Sequence, residues 1–234
     1  MFLINESDAE PYELVGRTTR LLIAASSGSQ RLTHNVSYFA PGHAPGHVHD
    51  PEEEVFYVDE GVGEVWIEGV PFALGPGTTV HTPMGVEHNV HVTSDQPMRI
   101  VGNFSPHVIP GRYPNLPARS TDLPEPPSTQ AAFVVHARAM GDAAWQPLIQ
   151  TGRMSLGLRV ILSGESLRLD ARDDDLITHA LGGQGGLHTQ DAVYRLRRGS
   201  VILLTGGESA TLEADGPMRM LEIRGVRPGS AGSL

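Results

Sequence analysis

The 234-residue sequence contains no cysteine, and its 17 basic residues are all arginines, so lysine is absent as well. Without cysteine there are no disulfides, no thiolate nucleophiles and no cysteine-ligated zinc or iron–sulfur sites. Without lysine, neither a Schiff base on a side-chain amine nor a Walker-type phosphate loop can form. These two absences exclude several broad classes of enzyme and metalloprotein.

Positive charge and long apolar runs are also scarce. The 17 basic residues stand against 27 acidic ones, which gives a formal net charge of −10 with neutral histidines. A strongly anionic chain binds polyanions poorly, so nucleic acid and acidic membrane surfaces are disfavoured as partners. There is no run of ~18 apolar residues that would span a membrane, and the N-terminal residues lack the basic segment of a signal peptide. The sequence predicts a cytoplasmic protein.

The pattern of apolar residues predicts an all-β fold. Short β-branched or aromatic runs alternate with Gly, Pro or Asp turns at spacings of roughly 8–12 residues, which is typical of sandwiches and barrels. Between residues 110 and 130 there are six prolines and no periodicity, as in a semi-rigid linker. We therefore predict domains at 1–109 and 131–234. The predicted strands of the first domain are Leu21–Ala24, Val36–Phe39, Val55–Val58, Glu64–Ile67, Thr78–Thr82, Asn89–Val92 and Arg99–Asn103.

The two halves of the chain also resemble each other. Three glycines of the first half recur 122 positions later, and a fourth recurs 121 positions later. The segment QPMRIV likewise recurs as GPMRML. Because glycine supplies backbone conformations that other residues avoid, recurring glycines imply recurring turns and a duplicated fold. The matched pairs are Gly63 with Gly185, Gly77 with Gly199, Gly85 with Gly207, and Gly61 with Gly182.

Eight of the 11 histidines lie between His34 and His107. His47 and His49 are two residues apart, so on an extended strand both imidazoles point to the same face. Glu54 begins the next apolar run, and His88 follows a Pro-x-Gly turn that would aim its side chain. Three imidazoles and one carboxylate form a ligand set suited to Mn, Fe, Co, Ni, Cu or Zn.

The spacing of these residues resembles two motifs of the cupin family. The pattern Gly42-x₄-His47-x-His49-x₄-Glu54-x₆-Gly61 is similar to the first motif, with one residue fewer than usual before the first histidine. The pattern Gly77-x₅-Pro83-x-Gly85-x₂-His88 is similar to the second, with Val92 where an asparagine is usual. The resemblance implies a fold of two tandem jelly-roll barrels, called a bicupin.

The resemblance also implies a metal site in the first barrel. Glu52 and Glu53 are rival carboxylates, but only Glu54 lies six residues before the motif's last glycine. Aligning the second half on its glycines places Arg168, Asp170, Asp175 and Ala210 opposite the ligands, so that half is expected to bind no metal. We therefore expect one divalent transition metal per chain, held by His47, His49, Glu54 and His88.

Strand alternation suggests walls for a substrate pocket. Phe56 and Val58 share a face with Glu54, and Val90 shares one with His88. Such apolar neighbours fit an apolar or planar substrate, although ordinary barrel core explains the same pattern. Neither motif contains an arginine, which disfavours a sugar-phosphate or dicarboxylate substrate.

These observations favour a metal-dependent enzyme acting on a small organic molecule. An oxygenase or related oxidoreductase is the first hypothesis, with Glu54 or a bound water as the proton-transfer group. The alternatives are a non-redox isomerase, lyase or hydrolase, as in ureidoglycine aminohydrolase-like bicupins, and a non-catalytic metal- or ligand-binding protein. Exposed sheet edges are readily covered by a second copy, so we also expect a homodimer.

Overall fold

The computed structural model of the chain describes residues 1–108, 133–137 and 144–226. These ranges contain 21 β-strands and two short 3₁₀ segments, Glu6–Asp8 and Ala25–Ser27, but no α-helix. The prediction of an all-β fold is therefore confirmed. The predicted linker at 110–130 lies outside the described residues. In the part of the chain that is described, no helix has the length and apolar character needed to cross a membrane.

Each strand predicted for the first half overlaps an observed strand, and Thr78–Thr82 has the predicted bounds. In chain order, the strands up to residue 105 are β1 (Phe2–Asn5), β2 (Pro11–Leu14), β3 (Arg17–Ile23), β4 (Thr33–Phe39), β5 (Gly42–His43), β6 (Glu53–Glu60), β7 (Gly63–Ile67), β8 (Val70–Leu74), β9 (Thr78–Thr82), β10 (His88–Val92) and β11 (Met98–Ser105). Those that follow are β12 (Phe133–His136), β13 (Trp145–Gln150), β14 (Met154–Ile161), β15 (Ser166–Asp170), β16 (Leu176–Gly182), β17 (Gln184–His188), β18 (Val193–Arg197), β19 (Ser200–Leu204), β20 (Ser209–Ala214) and β21 (Met218–Gly225).

The chain forms two compact units, and neither is continuous in sequence. The first barrel comprises Glu10–Ala24 and Leu32–Arg138. The second barrel comprises Met1–Ala9, Ala25–Arg31 and Ala139–Leu234. Strand β1 thus pairs with β19 in the second barrel, and β12 pairs with β9 in the first. The predicted division at 1–109 and 131–234 does not anticipate these exchanged segments.

Two sheets build the first barrel. Among the described residues, the larger sheet has the strand order β12-β9-β6-β11-β4-β3-β2, and the smaller has the order β5-β10-β7-β8. Pro71 lies in β8, an edge strand, where its missing N–H costs no ladder hydrogen bond. Apolar side chains from both sheets form one core cluster, which contains Phe39, Ala44, Phe56, Val58, Val65, Ile67, Leu74, Val80, Val86, Val90, Val92, Met98 and Ile100.

The second barrel repeats this plan. Its larger sheet has the order β1-β19-β16-β21-β14-β13 and its smaller sheet the order β15-β20-β17-β18. Its core cluster is entirely apolar and is made of Ile161, Leu169, Ala171, Leu176, Ala180, Leu187, Leu196, Ile202, Leu204, Ala210, Leu212, Ala214, Met218 and Met220.

The backbone supports the duplication inferred from the glycines. Strands β9 and β19 begin at Thr78 and Ser200, 122 positions apart. The glycine before each strand has a positive φ, +90° at Gly77 and +81° at Gly199. The same turn therefore precedes the same strand in both barrels, and it requires a residue without a Cβ.

One glycine match needs a correction of one position. Gly61 has a φ of +91°, and its counterpart in conformation is Gly183, with a φ of +84°, rather than Gly182. A Cβ added to Gly61 would lie 2.7 Å from the Cα of Met98, and one added to Gly183 would lie 2.7 Å from the Cα of Met218. The offset is thus 122 here as well, which shifts the alignment of the preceding strand by one residue.

Candidate metal centre

The segment between β5 and β6 brings His47 and His49 beside His88. The backbone N–H of His47 donates to the carbonyl of His88 at 3.1 Å, and that of His88 donates to the carbonyl of His47 at 3.0 Å. This isolated antiparallel bridge is one of the links between the two sequence motifs. One ring nitrogen from each of the three histidines lies within 4.8 Å of the others, so the imidazoles converge on one point.

Hydrogen bonds to carbonyl groups set the direction of two of these rings. The Nδ1 atom of His47 lies 3.1 Å from the carbonyl oxygen of Pro45, and the Nδ1 of His88 lies 3.1 Å from that of Val86. Since a carbonyl oxygen only accepts, each Nδ1 carries the proton, and in the neutral ring Nε2 keeps its lone pair. Both imidazoles are thereby held in the tautomer that ligates a metal through Nε2.

Glu54 places a carboxylate beside two of these imidazoles. Its Oε2 lies 3.0 Å from the Nε2 of His88 and 3.5 Å from the Nε2 of His49, and its side chain is 13% exposed. The rival Glu53 points elsewhere, with its Oε2 3.4 Å from the Nε2 of His81. Of the adjacent carboxylates, Glu54 is the one placed against the histidine cluster, where the motif spacing predicts it.

The pKa values of the cluster favour metal ligation at neutral pH. Burial lowers the pKa of His47 well below 6.5, and the charges of His88, His49 and Arg17 add to the shift. Burial also lowers the pKa of His49, although its hydrogen bond with Glu54 opposes this. For Glu54, burial alone raises the pKa, but the contacts of its carboxylate with the His49 and His88 rings outweigh it and hold the pKa well below 4.5. Neutral imidazoles and an ionised carboxylate are the forms that bind a divalent transition ion.

A glycine on β11 leaves room for this arrangement. Gly102 is paired with Asn35 of β4. A Cβ added to Gly102 would lie 2.6 Å from the Oδ1 of Asn35 and 3.5 Å from the Oε1 of Glu54. The absence of a side chain at residue 102 therefore lets both polar groups approach the backbone beside the histidines.

A small cavity adjoins the cluster. Its volume is about 10 Å³, which is space for roughly one water molecule. It is lined by Arg17, Asn35, Ser37, Phe39, His47, His49, Glu54, Ile100, Gly102 and Phe104. The lining alternates along β4 and β11, because every second residue of a strand faces the same way.

The residues predicted as pocket walls lie elsewhere. Phe56, Val58 and Val90 are buried in the core cluster of the first barrel and do not line this cavity. The alternation of side chains along a strand predicts which face of the sheet these residues share, but it does not predict their distance from the proposed ligands. Their placement corresponds to ordinary barrel core, the alternative that the sequence left open.

Arg17 is the charged lining residue that lies outside both sequence motifs. It lies at the start of β3, 30 positions before His47, and β4 is the strand beside it. The absence of arginine within the motifs therefore does not leave the site without a cation, which corrects the argument against anionic substrates. The sequence around a single arginine in a strand does not show that its side chain lies beside the histidine cluster, because that position depends on which strands are neighbours in the sheet.

Comparisons with known proteins bear on the family. The cupin-domain family model matches residues 35–102, which contain all four predicted ligands. Among solved structures, oxalate decarboxylase from Bacillus subtilis at pH 4.6 is similar with a TM-score of 0.68 and 15% identity, over 95% of this chain and 75% of that one. Residues 35–102 form a cupin domain.

Another similar structure is protein Ylba from E. coli, of the DUF861 family, with a TM-score of 0.72 and 13% identity. The match covers 95% of this chain and 89% of that one. A further structure of the Bacillus subtilis decarboxylase, described with Mn(II) centres, has a TM-score of 0.67 and 15% identity over 95% of this chain and 76% of that one. Comparison with curated protein sequences found no match.

The second barrel has apolar residues at the positions that correspond to the predicted ligands of the first. In the first barrel His47 is bridged to His88, and in the second Leu169 pairs with Ala210, each 122 positions later. Glu54 likewise pairs with residue 82, and Leu176 with residue 204. The strand registers therefore confirm the corrected offset.

The corrected alignment replaces three of the residues assigned opposite the ligands. The counterparts of His47, His49 and Glu54 are Leu169, Ala171 and Leu176, and all three lie in the second core cluster with Ala210. Arg168 is instead largely exposed. Asp175 is buried and accepts hydrogen bonds from the Ser29 hydroxyl and from the backbone N–H groups of residues 30 and 31, at 2.7–2.9 Å.

Substitution of the predicted ligands tests the metal centre. His49→Ala and His88→Ala are each expected to lower metal affinity by more than about tenfold. Removing a group that only hydrogen-bonds to a ligand already lowers metal affinity by about that factor, and these variants remove the ligand itself. Glu54→Gln is expected to be milder, because an amide oxygen still coordinates but does not neutralise charge. Elemental analysis of the purified variants measures the effect.

The matched control is His91→Ala. His91 lies three residues after His88 on β10, stacks on His43 with ring centroids 3.6 Å apart, and is 27% exposed. Its removal is expected to leave the metal content unchanged. Full metal occupancy in both the His49 and His88 variants, with the barrel folded by circular dichroism, would contradict the assignment.

The lowered histidine pKa values predict how the stability of the metal-free protein depends on pH. Below pH 6.5, His47 and His49 become protonated in the unfolded chain, whereas their lowered pKa values keep them neutral in the folded chain. The free energy of unfolding therefore falls as the pH falls. The slope is up to ~1.4 kcal/mol per pH unit for each histidine. Urea denaturation with a chelator between pH 7 and 5 measures it, and His47→Gln is expected to make the slope shallower. An unchanged slope in that variant would contradict the prediction.

Proposed function

We propose that this cupin is a metal-dependent enzyme that acts on a small organic molecule, with one divalent transition ion held by His47, His49, Glu54 and His88. The observation that carries the proposal is the convergence of three buried imidazoles beside a small cavity, with one carboxylate in contact with two of them. When bound, such an ion polarises an oxygen-containing substrate or activates dioxygen. The family and the fold support an enzyme but are compatible with several reaction types.

The chain's own residues would prepare the site in two ways. Pro45 and Val86 accept the Nδ1 protons of His47 and His88 through their carbonyl groups and so fix both rings. Glu54 is ionised at neutral pH because of its low pKa, so it offers one negative charge to a bound ion beside the cavity. This supports its proposed role as a ligand. Because a carboxylate of such low pKa is a weak base, we favour a bound water over Glu54 as the proton-transfer group.

Within this class we propose an oxygenase or related oxidoreductase as the first reaction type. A cavity of about 10 Å³ accommodates a diatomic or water-sized molecule next to the ligands, as a site that uses dioxygen requires. The apolar side chains Phe39, Ile100 and Phe104 border that space and help to exclude bulk water.

A non-redox lyase is the second candidate. It is favoured by the likeness of the fold to oxalate decarboxylase, a lyase, over 95% of this chain. The Mn(II) centres of that enzyme add manganese to the metals worth testing first. Isomerase or hydrolase activity and non-catalytic binding remain outcomes of the same test, and the expected homodimer stays a prediction.

Parallel aerobic and anaerobic assays distinguish these candidates. Protein loaded with Mn²⁺ or Fe²⁺ is incubated with a panel of small organic acids and neutral metabolites, while substrate loss and oxygen uptake are recorded. We expect substrate loss coupled to oxygen uptake, and neither in His49→Ala. Substrate loss without oxygen indicates the lyase class, and metal binding with no substrate loss across the panel indicates a binding protein. Turnover that persists fully in metal-free protein would contradict a metal-dependent enzyme.

A further inference from the structure

Arg17 places a permanent positive charge on the wall of the metal-site cavity. It lines that cavity together with His47, His49 and Glu54. Its guanidinium carbon lies 5.0 Å from the ring centroid of Phe39, the residue paired with it across β3 and β4. Its charge is close enough to the histidine cluster to lower the pKa of both His47 and His49.

The guanidinium group has hydrogen-bonding capacity that the surrounding chain does not use. The Nε of Arg17 is buried, and no residue in the described ranges accepts a hydrogen bond from it. Of the described residues that line the cavity, Glu54 is the only acid, and its Oε2 contacts the imidazoles of His49 and His88. A buried donor without an acceptor is costly, so a ligand that supplies one would bind favourably there.

Packing against Phe39 does not account for this arrangement by itself. A guanidinium above an aromatic ring gains a cation–π attraction through its face. Its N–H groups, however, point outward in the plane of the group and still require acceptors. Stacking on Phe39 therefore orients the donors of Arg17 without satisfying the buried Nε.

The charge balance of the site indicates the sign of the ligand. A divalent ion, the Glu54 carboxylate and the Arg17 guanidinium leave a net charge of about +2 around the cavity, with neutral imidazoles. The charge around the cavity is therefore positive, although the formal net charge of the whole chain is −10. Field focusing by such a site attracts small anions from solution.

We propose that Arg17 is a substrate-binding residue that recognises a carboxylate group of a small organic acid while the acid also contacts the metal. A carboxylate is favoured because its planar pair of oxygens matches the fork of N–H donors on a guanidinium. The small cavity favours a compact anion over a phosphate ester. The inference rests on the proposed metal site and narrows the substrate of the proposed enzyme to small carboxylates.

Titration of the Co²⁺-loaded protein with formate tests this proposal without any assay of turnover. Formate is expected to change the visible absorption of the bound cobalt, whereas formamide, its neutral counterpart, is expected to have no effect at the same concentration. In Arg17→Gln the formate affinity is expected to fall by about tenfold or more, the usual loss of a charged hydrogen bond, with the cobalt content unchanged.

Two further variants control for structure and overall charge. Arg17→Lys keeps the charge but lacks Nε, so it is expected to restore formate binding only in part. Arg20→Gln removes the same charge three residues along β3, where the side chain points to the opposite face of the sheet, and is expected to bind formate as the wild type does. If thermal denaturation shows that Arg17→Gln folds poorly, the formate affinity of Arg17→Lys is compared with that of the wild type instead.

The outcomes separate this proposal from the metal site on which it rests. Unchanged formate affinity in Arg17→Gln, an equal loss in Arg20→Gln, or tighter binding of inorganic phosphate than of formate would each overturn the role of Arg17. A wild-type protein that holds no cobalt contradicts the proposed function instead. Calorimetric titration of the metal-free protein with formate then tests Arg17 by itself, with the same loss expected in Arg17→Gln.

Discussion

Two backbone hydrogen bonds between His47 and His88 hold the candidate metal centre together. They are 3.0 and 3.1 Å long, and they join segments that lie about 40 residues apart in the chain. Because the bridge fixes the backbone on both sides, the imidazoles converge before any ion binds, and Glu54 reaches them from β6. A preformed donor set of this kind reduces the ordering that metal binding must otherwise drive.

The same bridge exists in the second barrel with different chemistry. Leu169 pairs with Ala210 at the corresponding register, and both are buried among apolar neighbours. Leu176 occupies the position of Glu54. The duplicated fold therefore keeps its strands and turns when the ligands are replaced, because the interior is filled by side chains that need no hydrogen-bond partners.

Much of this centre could be predicted from the sequence, because the information is local. The two-residue spacing of His47 and His49, the glycine turns and the apolar runs each depend on a few neighbouring positions. Arg17 and the exchange of β1 and β12 could not be predicted, since they depend on which strands become neighbours in a sheet. The alignment of Gly61 with Gly182 was wrong by one residue because Gly182 and Gly183 are adjacent, and the sequence does not distinguish them as counterparts of Gly61. The positive φ of Gly183 identifies it as the counterpart.

The metal content of the purified protein tests the central claim most directly. The protein is prepared without chelator, reconstituted with Mn²⁺, Fe²⁺ or Co²⁺, freed of excess ion and analysed for metal per chain against a protein concentration from amino-acid analysis. We expect about one tightly bound transition ion per chain, because among the described residues the cluster of potential ligands that could hold an ion lies in the first barrel, whereas the corresponding positions of the second are apolar. A content near zero with all three metals, or about two ions per chain, would contradict it.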